Sequence, residues 1–152
     1  LRCSGFRRTT SLHRNRELRG CIGSLAPVEP LGEGVRSNAV NAAFHDYRFA
    51  PLTAAELPEV HIEVSVLTEP QPLIFTDADD LTRQLRPGID GVILQGPGNE
   101  QATFLPQVWQ QLPQPELFLD HLCRKASLSG DAWRSGQLRV FTYQVQSFEE
   151  PR

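Results

Sequence analysis

The most constraining feature of this sequence is a strict alternation of apolar and polar residues from position 60 to position 67. In a β-strand, successive side chains point to opposite faces of the sheet. The segment therefore predicts a strand with one buried face, because its alternate positions are all aliphatic: Val60, Ile62, Val64 and Val66.

Other periodicities predict helices and strands in mixed order. Apolar residues at helical spacing (Val40, Ala43, Phe44 and Tyr47) predict an amphipathic helix over residues 35–46, with Asn38, Asn41, His45 and Arg48 on its polar face. Thr53 and Glu56 form a capping box, which predicts a short helix that ends at Pro58. Further segments predict a helix over 79–85, a hairpin of 91–95 with 102–105, a helix over 115–126 that buries Phe118 and Leu122, and a single alternating element over 138–148. This mixture favours an α+β fold with a largely antiparallel sheet flanked by helices.

Length and composition narrow the protein class. The chain has 152 residues, of which 39% are hydrophobic and 22% charged, as in an ordinary single globular domain. No run approaches the roughly 18 apolar residues that a transmembrane helix needs, so we expect no membrane span. Three cysteines without C-x-x-C spacing favour a reduced intracellular chain.

Charge is distributed unevenly along the chain. Residues 1–25 carry six Arg and one Glu, whereas residues 29–80 carry ten acidic residues and two Arg. The basic segment could reach phosphate, but pairing with the acidic segment of the same chain is the simpler interpretation. A net charge of −3 makes nucleic-acid binding the least favoured reading.

The segment Arg19-Gly20-Cys21-Ile22-Gly23-Ser24 is the best candidate for chemistry. Its glycines permit unusual backbone angles or a close approach of another group, and Arg19 would favour the thiolate form of Cys21. Packing alone could also explain this segment, since buried cysteine is common and the two glycines could serve only to accommodate a β-bulge. A nucleophilic cysteine needs a base, and we consider His45 and His61 first among four candidates that also include His13 and His121.

Other site types lack their motifs. We find no zinc-finger, H-E-x-x-H or EF-hand spacing, no P-loop or dinucleotide fingerprint, and no G-x-S-x-G elbow. The sequence therefore predicts neither a metal site nor a bound cofactor.

The segment LRGCIGSL resembles the signature of the AMMECR-type domain family. The resemblance continues in NAVNAAFHDYRFAPLTAAELPEVHIEVSVLTEP, in GIDGVILQGPGNEQATFLPQVW and in LCRKASL. It implies one domain over residues 1–152, in which residues 1–10 match poorly, two unequal α+β subdomains in one compact unit, and a cytoplasmic location. Bacterial members resemble the first component of a gene trio with Memo-like and radical-SAM proteins, which are therefore the implied partners.

Two hypotheses about function follow, and whether the chain is an enzyme stays open. In the first, a small molecule or peptide binds in a cleft beside LRGCIGSL, where Cys21 is a nucleophile or contact residue and the binding residues are Arg19, Gly20, Gly23, Asp46 and Arg48. In the second, the chain is an adaptor without chemistry, and the signature is a packing device.

Overall fold

The computed structural model describes residues 7–24 and 30–151, which divide into two compact units. One unit comprises the residues up to Thr68 together with those from Gln146 onward, and the other comprises Glu69–Val145. Both contain a four-stranded sheet whose described strand pairs are antiparallel, and helices accompany the sheets. The predicted α+β class is confirmed.

The sheet of the first unit has the strand order β2-β1-β3-β8. Its strands are β1 (Arg7–Arg14), β2 (Glu17–Ser24), β3 (Val60–Leu67) and β8 (Val145–Glu149). The predicted strand over 60–67 is confirmed, but its predicted face of four aliphatic residues is only half-buried, and Leu67 alone in the strand is buried. LRGCIGSL begins within β2. Asn15 and Arg16 join β1 to β2 with φ angles of 52° and 67°, as a two-residue hairpin loop with two left-handed positions requires.

Helix α1 (Leu31–Phe44) packs on this sheet through a different face from the one that its apolar periodicity predicts. Its buried residues are spaced at i, i+4 and i+8: Gly34, Asn38 and Ala42, with Ala43 beside them. Of the predicted apolar stripe only Ala43 is buried, because Val40 and Phe44 are each 49% exposed and Tyr47 is 96% exposed. The assignment of Asn38 to the polar face is wrong, since Asn38 is buried.

Small residues explain this orientation of α1. A Cβ added at Gly34 would lie within 2.1 Å of three atoms of the buried Arg8 guanidinium, and one added at Gly20 would lie 2.1 Å from the Ala42 carbonyl oxygen. The helix and the sheet therefore contact each other at two glycines, Gly34 on α1 and Gly20 on β2, which have no side chain to hold them apart. The close approach of the α1 and β2 backbones determines which face of the helix is buried. The aliphatic residues of α1 do not determine it.

The sheet of the second unit has the order β4-β7-β5-β6. Its strands are β4 (Gln71–Pro72), β5 (Gly91–Gln95), β6 (Gln101–Phe104) and β7 (Arg139–Tyr143). Its helices are α2 (Ala78–Gln84) and α3 (Pro115–Lys125). The predicted helices over 79–85 and 115–126 and the predicted hairpin are confirmed, with ends shifted by one residue.

Aromatic packing forms the centre of this second core. Phe118 on α3 is fully buried, and its ring stacks on Trp109 at a centroid distance of 3.8 Å. Phe104 meets the same ring edge-on at 5.3 Å. The Trp109 indole N–H donates to the carbonyl oxygen of Asp90 at 2.7 Å, so the buried polar atom is satisfied.

Two local predictions are wrong. Residues 138–148 form two strands, β7 and β8, which belong to different sheets; alternation continues across the junction and so does not reveal the break at Gln144. Instead of a helix after Thr53, the chain makes a turn and then a short 3-10 helix, Leu57–Glu59.

Candidate functional site

One face of the first sheet carries most of its reactive side chains. Strand register places Cys21 of β2 opposite Ser11 of β1, and Ser11 opposite Glu63 of β3. Directly opposed residues share a face, as do alternate residues of a strand. This face, which we call the thiol face, therefore carries Thr9, Ser11, His13, Cys21, His61, Glu63 and Ser65.

The Cys21 thiol is partly exposed and is hydrogen-bonded within the thiol face. The Ser11 hydroxyl donates to Cys21 Sγ at 3.2 Å, and the cysteine is free. A thiol that reaches solvent and accepts a hydrogen bond differs from the inert, sealed cysteine of an apolar core. Cys123 on α3 is of that second kind, because it is fully buried and burial raises the pKa of its thiol.

The histidine nearest to Cys21 along the register is His13, two residues from Ser11 on β1. Its Nε2 atom lies 3.3 Å from Glu63 Oε2, as an ion pair when the imidazole is protonated. His61 is directly opposite His13 on β3. His45, which the sequence favoured equally with His61, follows the last residue of α1 and is exposed.

The β1–β2 hairpin carries only part of the information that identifies His13. The Asn15-Arg16 loop sets Arg14 opposite Glu17, and a bulge between Leu12 and His13 shifts the pairing so that Ser11 meets Cys21. Counting back from a two-residue turn gives an approximate register. The extra residue of the bulge is Arg19 of β2, which is adjacent to Gly20, and a glycine within a strand pattern is a signal for a bulge.

Asp46 and Arg48 together occupy the outer edge of β2 at Cys21. The Cys21 N–H donates to Asp46 Oδ2 at 3.0 Å, and Arg48 Nη2 donates to the Cys21 carbonyl oxygen at 3.4 Å. Arg48 also donates to Asp46 through Nε at 3.0 Å and through Nη2 at 2.8 Å. The pair thus satisfies both backbone groups of Cys21, as a neighbouring strand would.

The charges of this pair stabilise each other. Hydrogen bonds from the Arg48 side chain and from the Cys21 N–H hold the pKa of Asp46 well below its usual range, and the Asp46 carboxylate raises the pKa of Arg48. Asp46 is buried, whereas the Arg48 side chain is 46% exposed. Of the two predicted binding residues, Arg48 is therefore the one that solvent reaches.

Arg19 is engaged by a carboxylate of its own chain. Its Nε donates to Glu56 Oε1 at 2.9 Å and its Nη2 donates to Glu56 Oε2 at 3.2 Å. Glu56 also accepts from the Thr53 N–H at 2.9 Å and from Arg14 Nη1 at 3.1 Å. These contacts, led by the Arg19 hydrogen bonds, lower the pKa of Glu56 to about 2. Arg14 and Arg19 thus follow the predicted pairing of the basic segment with the acidic one.

The two signature glycines lie where side chains would collide. At Gly23, an added Cβ would lie 2.9 Å from the Thr9 side-chain methyl group. At Gly20, the obstacle is the backbone of α1, described above. Both glycines thus have packing reasons to be glycine. Within the group of predicted site residues, the structure brings Cys21, Asp46 and Arg48 into direct contact, and it places Arg19 against Glu56.

A cavity of about 310 Å³ lies at the histidine end of β1 and β3. It is lined by His13, Asn15, Arg16, Glu59 and His61. Two imidazoles, a guanidinium and a carboxylate could bind a polar molecule there. Within residues 7–24 and 30–151, no three His, Cys, Asp or Glu side chains converge on a possible metal position.

Comparisons with known proteins show the family. The AMMECR1 family model matches residues 8–148. The chain belongs to the AMMECR1 family. It is 44% identical over 140 residues to a protein of Thermofilum pendens, and the aligned region covers 89% of this chain and 63% of that relative. It is 38% identical to a protein of Methanothermobacter thermautotrophicus, and the aligned region covers 92% of this chain and 73% of that relative.

A solved structure supports the same fold. Uncharacterized protein PH0010 from Pyrococcus horikoshii matches with a TM-score of 0.78 and 32% identity, over 97% of this chain and 74% of that one. This chain thus spans less than two thirds of the Thermofilum protein's length and about three quarters of PH0010. In the described part of the chain, no helix is both long and apolar enough to cross a bilayer.

Proposed function

We propose that this AMMECR1-family chain binds a small molecule or peptide on the thiol face, with Cys21 as its contact residue. The observation that carries the proposal is a partly exposed thiol that accepts a hydrogen bond from Ser11 at 3.2 Å. The cavity of about 310 Å³ provides a concave surface at His13 and His61 of the thiol face, and Cys21 is not among its lining residues. A pocket of this size suits a small ligand.

The same face has the residue types for cysteine chemistry. His13 is diagonal to Cys21 across β1 and β2, and Glu63 lies 3.3 Å from His13 Nε2. A carboxylate that orients an imidazole beside a thiol is the arrangement by which a thiol loses its proton and becomes nucleophilic. In this proposal His13 takes the proton of Cys21, and Glu63 positions the imidazole.

Arg48 is the proposed anion contact, in place of Arg19. Two of the Arg19 donors are already bound to Glu56, whereas the Arg48 guanidinium is 46% exposed. The Phe49 ring lies below both guanidinium groups, at 5.9 Å from that of Arg19 and 5.5 Å from that of Arg48. A ligand with a carboxylate or phosphate would meet Arg48 first.

The test is the rate of Cys21 alkylation by iodoacetamide at pH 7, followed by peptide mass spectrometry. We expect His13→Gln to slow the alkylation, because the group that takes the thiol proton is then lost. His61→Gln is the matched control, because it removes the opposing imidazole and leaves His13 in place. An alkylation rate that neither variant changes would exclude the nucleophile role.

A second candidate function is an adaptor in which the signature serves packing. It is favoured by the internal roles of Gly20 against α1, Arg19 against Glu56, and Asp46 on the Cys21 backbone. In that case Cys21→Ala leaves partner binding intact, whereas Arg48→Ala abolishes it. Arg83→Ala, an exposed arginine on α2 of the second unit, is the control in the same pull-down.

The proposed partners are proteins of the Memo-like and radical-SAM families, and the proposed location is the cytoplasm. The family resemblance supports the partners, and the free thiols of Cys21 and Cys123 are in keeping with a reducing compartment. Co-purification of the three proteins from a host that carries all three genes tests the complex. Three separate elution positions at micromolar concentration would argue against it.

A further inference from the structure

An apolar groove lies on the other face of the first sheet. It has a volume of about 400 Å³ and runs between α1, the segment around residues 52–57 and the ends of β1 and β3. Leu12 and Ile62 line it, and they alternate with Ser11 and His61 along their strands. The groove is therefore separated from the thiol face by the thickness of the sheet.

The groove exposes aliphatic and aromatic side chains that the fold leaves uncovered. Val40 and Phe44 are each 49% exposed and Leu57 is 64% exposed, and all three line the groove. They are exposed because α1 buries its Gly34, Asn38 and Ala42 face instead. The apolar stripe that the sequence predicts as core is thus available to bind an apolar group.

One carboxylate interrupts this apolar lining. The Glu150 N–H donates to the Ile62 carbonyl oxygen at 2.9 Å, and the Ile62 N–H donates to Glu150 Oε2 at 3.2 Å. These two hydrogen bonds with the Ile62 backbone hold the Glu150 carboxylate at the groove. No ion pair of Glu150 occurs among the residues that the structure describes. Glu150 is exposed and lines the groove, so a cationic group bound in the groove can reach its carboxylate.

We propose that this groove binds a small molecule that joins an apolar chain or ring to a protonated primary amine. The apolar part lies against Val40, Phe44 and Leu57, and the ammonium group pairs with the Glu150 carboxylate. Apolar burial supplies affinity, and the single charge supplies orientation and selects a cation over an anion. The site does not depend on Cys21 or on the chemistry of the thiol face.

The test compares three probes that share a six-carbon chain: hexylamine, hexanol and hexanoate. Each is titrated at pH 7 into 15N-labelled protein, and amide shifts are followed by NMR. At this pH the amine is protonated and the acid is ionised. We expect hexylamine to shift the amides of Val40, Phe44 and Leu57, with about fivefold higher affinity than hexanol, as one partly exposed ion pair provides. We expect hexanoate to bind more weakly than hexanol.

Two variants separate the charge from the apolar surface. Glu150→Gln retains an oxygen for the Ile62 N–H and is expected to make hexylamine bind no better than hexanol. Glu149→Gln removes the neighbouring charge, whose side chain points to the other side of β8, and is expected to preserve the preference. Phe44→Ala is expected to weaken all three probes.

Several results would overturn the proposal. Hexanoate binding as tightly as hexylamine would show that Glu150 does not select the ligand. Shifts confined to residues outside the groove would place the site elsewhere. Shifts of the groove amides with protein concentration alone, in the absence of probe, would show that a second copy of the chain covers this surface.

Discussion

Gly20→Ala tests whether the signature glycine is required for packing against α1. The added Cβ would lie 2.1 Å from the Ala42 carbonyl oxygen and 3.0 Å from its carbonyl carbon. Both atoms belong to the helix backbone, so no side-chain rotation relieves the contact. The helix must move away from β2 by roughly 1.4 Å or more to restore an ordinary van der Waals separation of about 3.5 Å.

The same helix contacts the sheet at Gly34, against the Arg8 side chain. A shift of α1 at Ala42 therefore also opens the packing around Asn38 and Ala42, both of which are buried. Overpacking of this kind costs about 1–3 kcal/mol in the free energy of unfolding. For a chain of this length, that corresponds to a decrease of roughly 2–12 °C in Tm.

Gly32→Ala is the matched control, because Gly32 is on the same helix and an added Cβ would meet nothing within 4 Å. We expect it to be neutral or to stabilise by up to about 1 kcal/mol, since alanine restricts the unfolded chain. Urea unfolding followed by circular dichroism gives both values. Equal stability of the two variants would refute the argument that Gly20 is glycine because of α1.

Three further predictions concern charge, core packing and thiol reactivity. The pKa of Glu56 is lowered to about 2, so its ionised form stabilises the fold at pH values above its ordinary pKa, and this contribution is lost as pH falls from about 4.5 towards 2. Glu56→Gln should therefore make the free energy of unfolding, measured by urea titration, fall less steeply with pH across that window. An unchanged pH slope would contradict the pairing of Glu56 with Arg19. Phe118→Ala should cost about 3–5 kcal/mol, because the ring is fully buried and stacked on Trp109, whereas Phe148→Ala, at a site 54% exposed, should change stability by no more than about 0.5 kcal/mol. In native protein, iodoacetamide should modify Cys21 before Cys123, whose thiol pKa is raised by burial; mass spectrometry that finds both cysteines modified at equal rates would mean that α3 opens readily.

The periodicity of apolar residues predicted an element correctly where that element packs against a single core. Pro115 in the first turn and Phe118 and Leu122 on one stripe are sufficient to predict α3, because the helix is amphipathic and that stripe is its buried face. The alternation of β3 likewise predicts its strand, although its aliphatic side chains are only half-buried and Leu67 alone in the strand is buried. On α3 the buried residues are all apolar, whereas Leu117 is 44% exposed.

Pattern failed where contacts distant in sequence determined the outcome. The Thr53 and Glu56 pair does contact as in a capping box, since the Thr53 N–H donates to Glu56 at 2.9 Å. Glu56 is also held by Arg14 and Arg19, which are about 40 residues away in the chain. The segment therefore forms a turn at the end of the β1–β2 hairpin, and no α-helix follows.

In the candidate site, too, features that depend on consecutive residues could be predicted from the sequence, and features that depend on long-range contacts could not. The glycine-flanked cysteine and the family to which it belongs could be recognised from the sequence, because they depend on consecutive residues. The choice of His13 could not, since it depends on the register of β1 with β2 and on a bulge at Leu12 and His13. The role of Asp46 and Arg48 on the Cys21 backbone likewise needs the chain to return to the edge of β2.

By itself, the sequence determined the fold class, most of the elements and the family, because local periodicity and short motifs carry that information. Only the tertiary structure decided which face of α1 is buried and which histidine is nearest to Cys21 along the strand register. The physical reason is that both depend on the close approach of backbones, at Gly20 against Ala42 and at Ser11 opposite Cys21. Such contacts join residues whose separation in the chain gives no periodic signal.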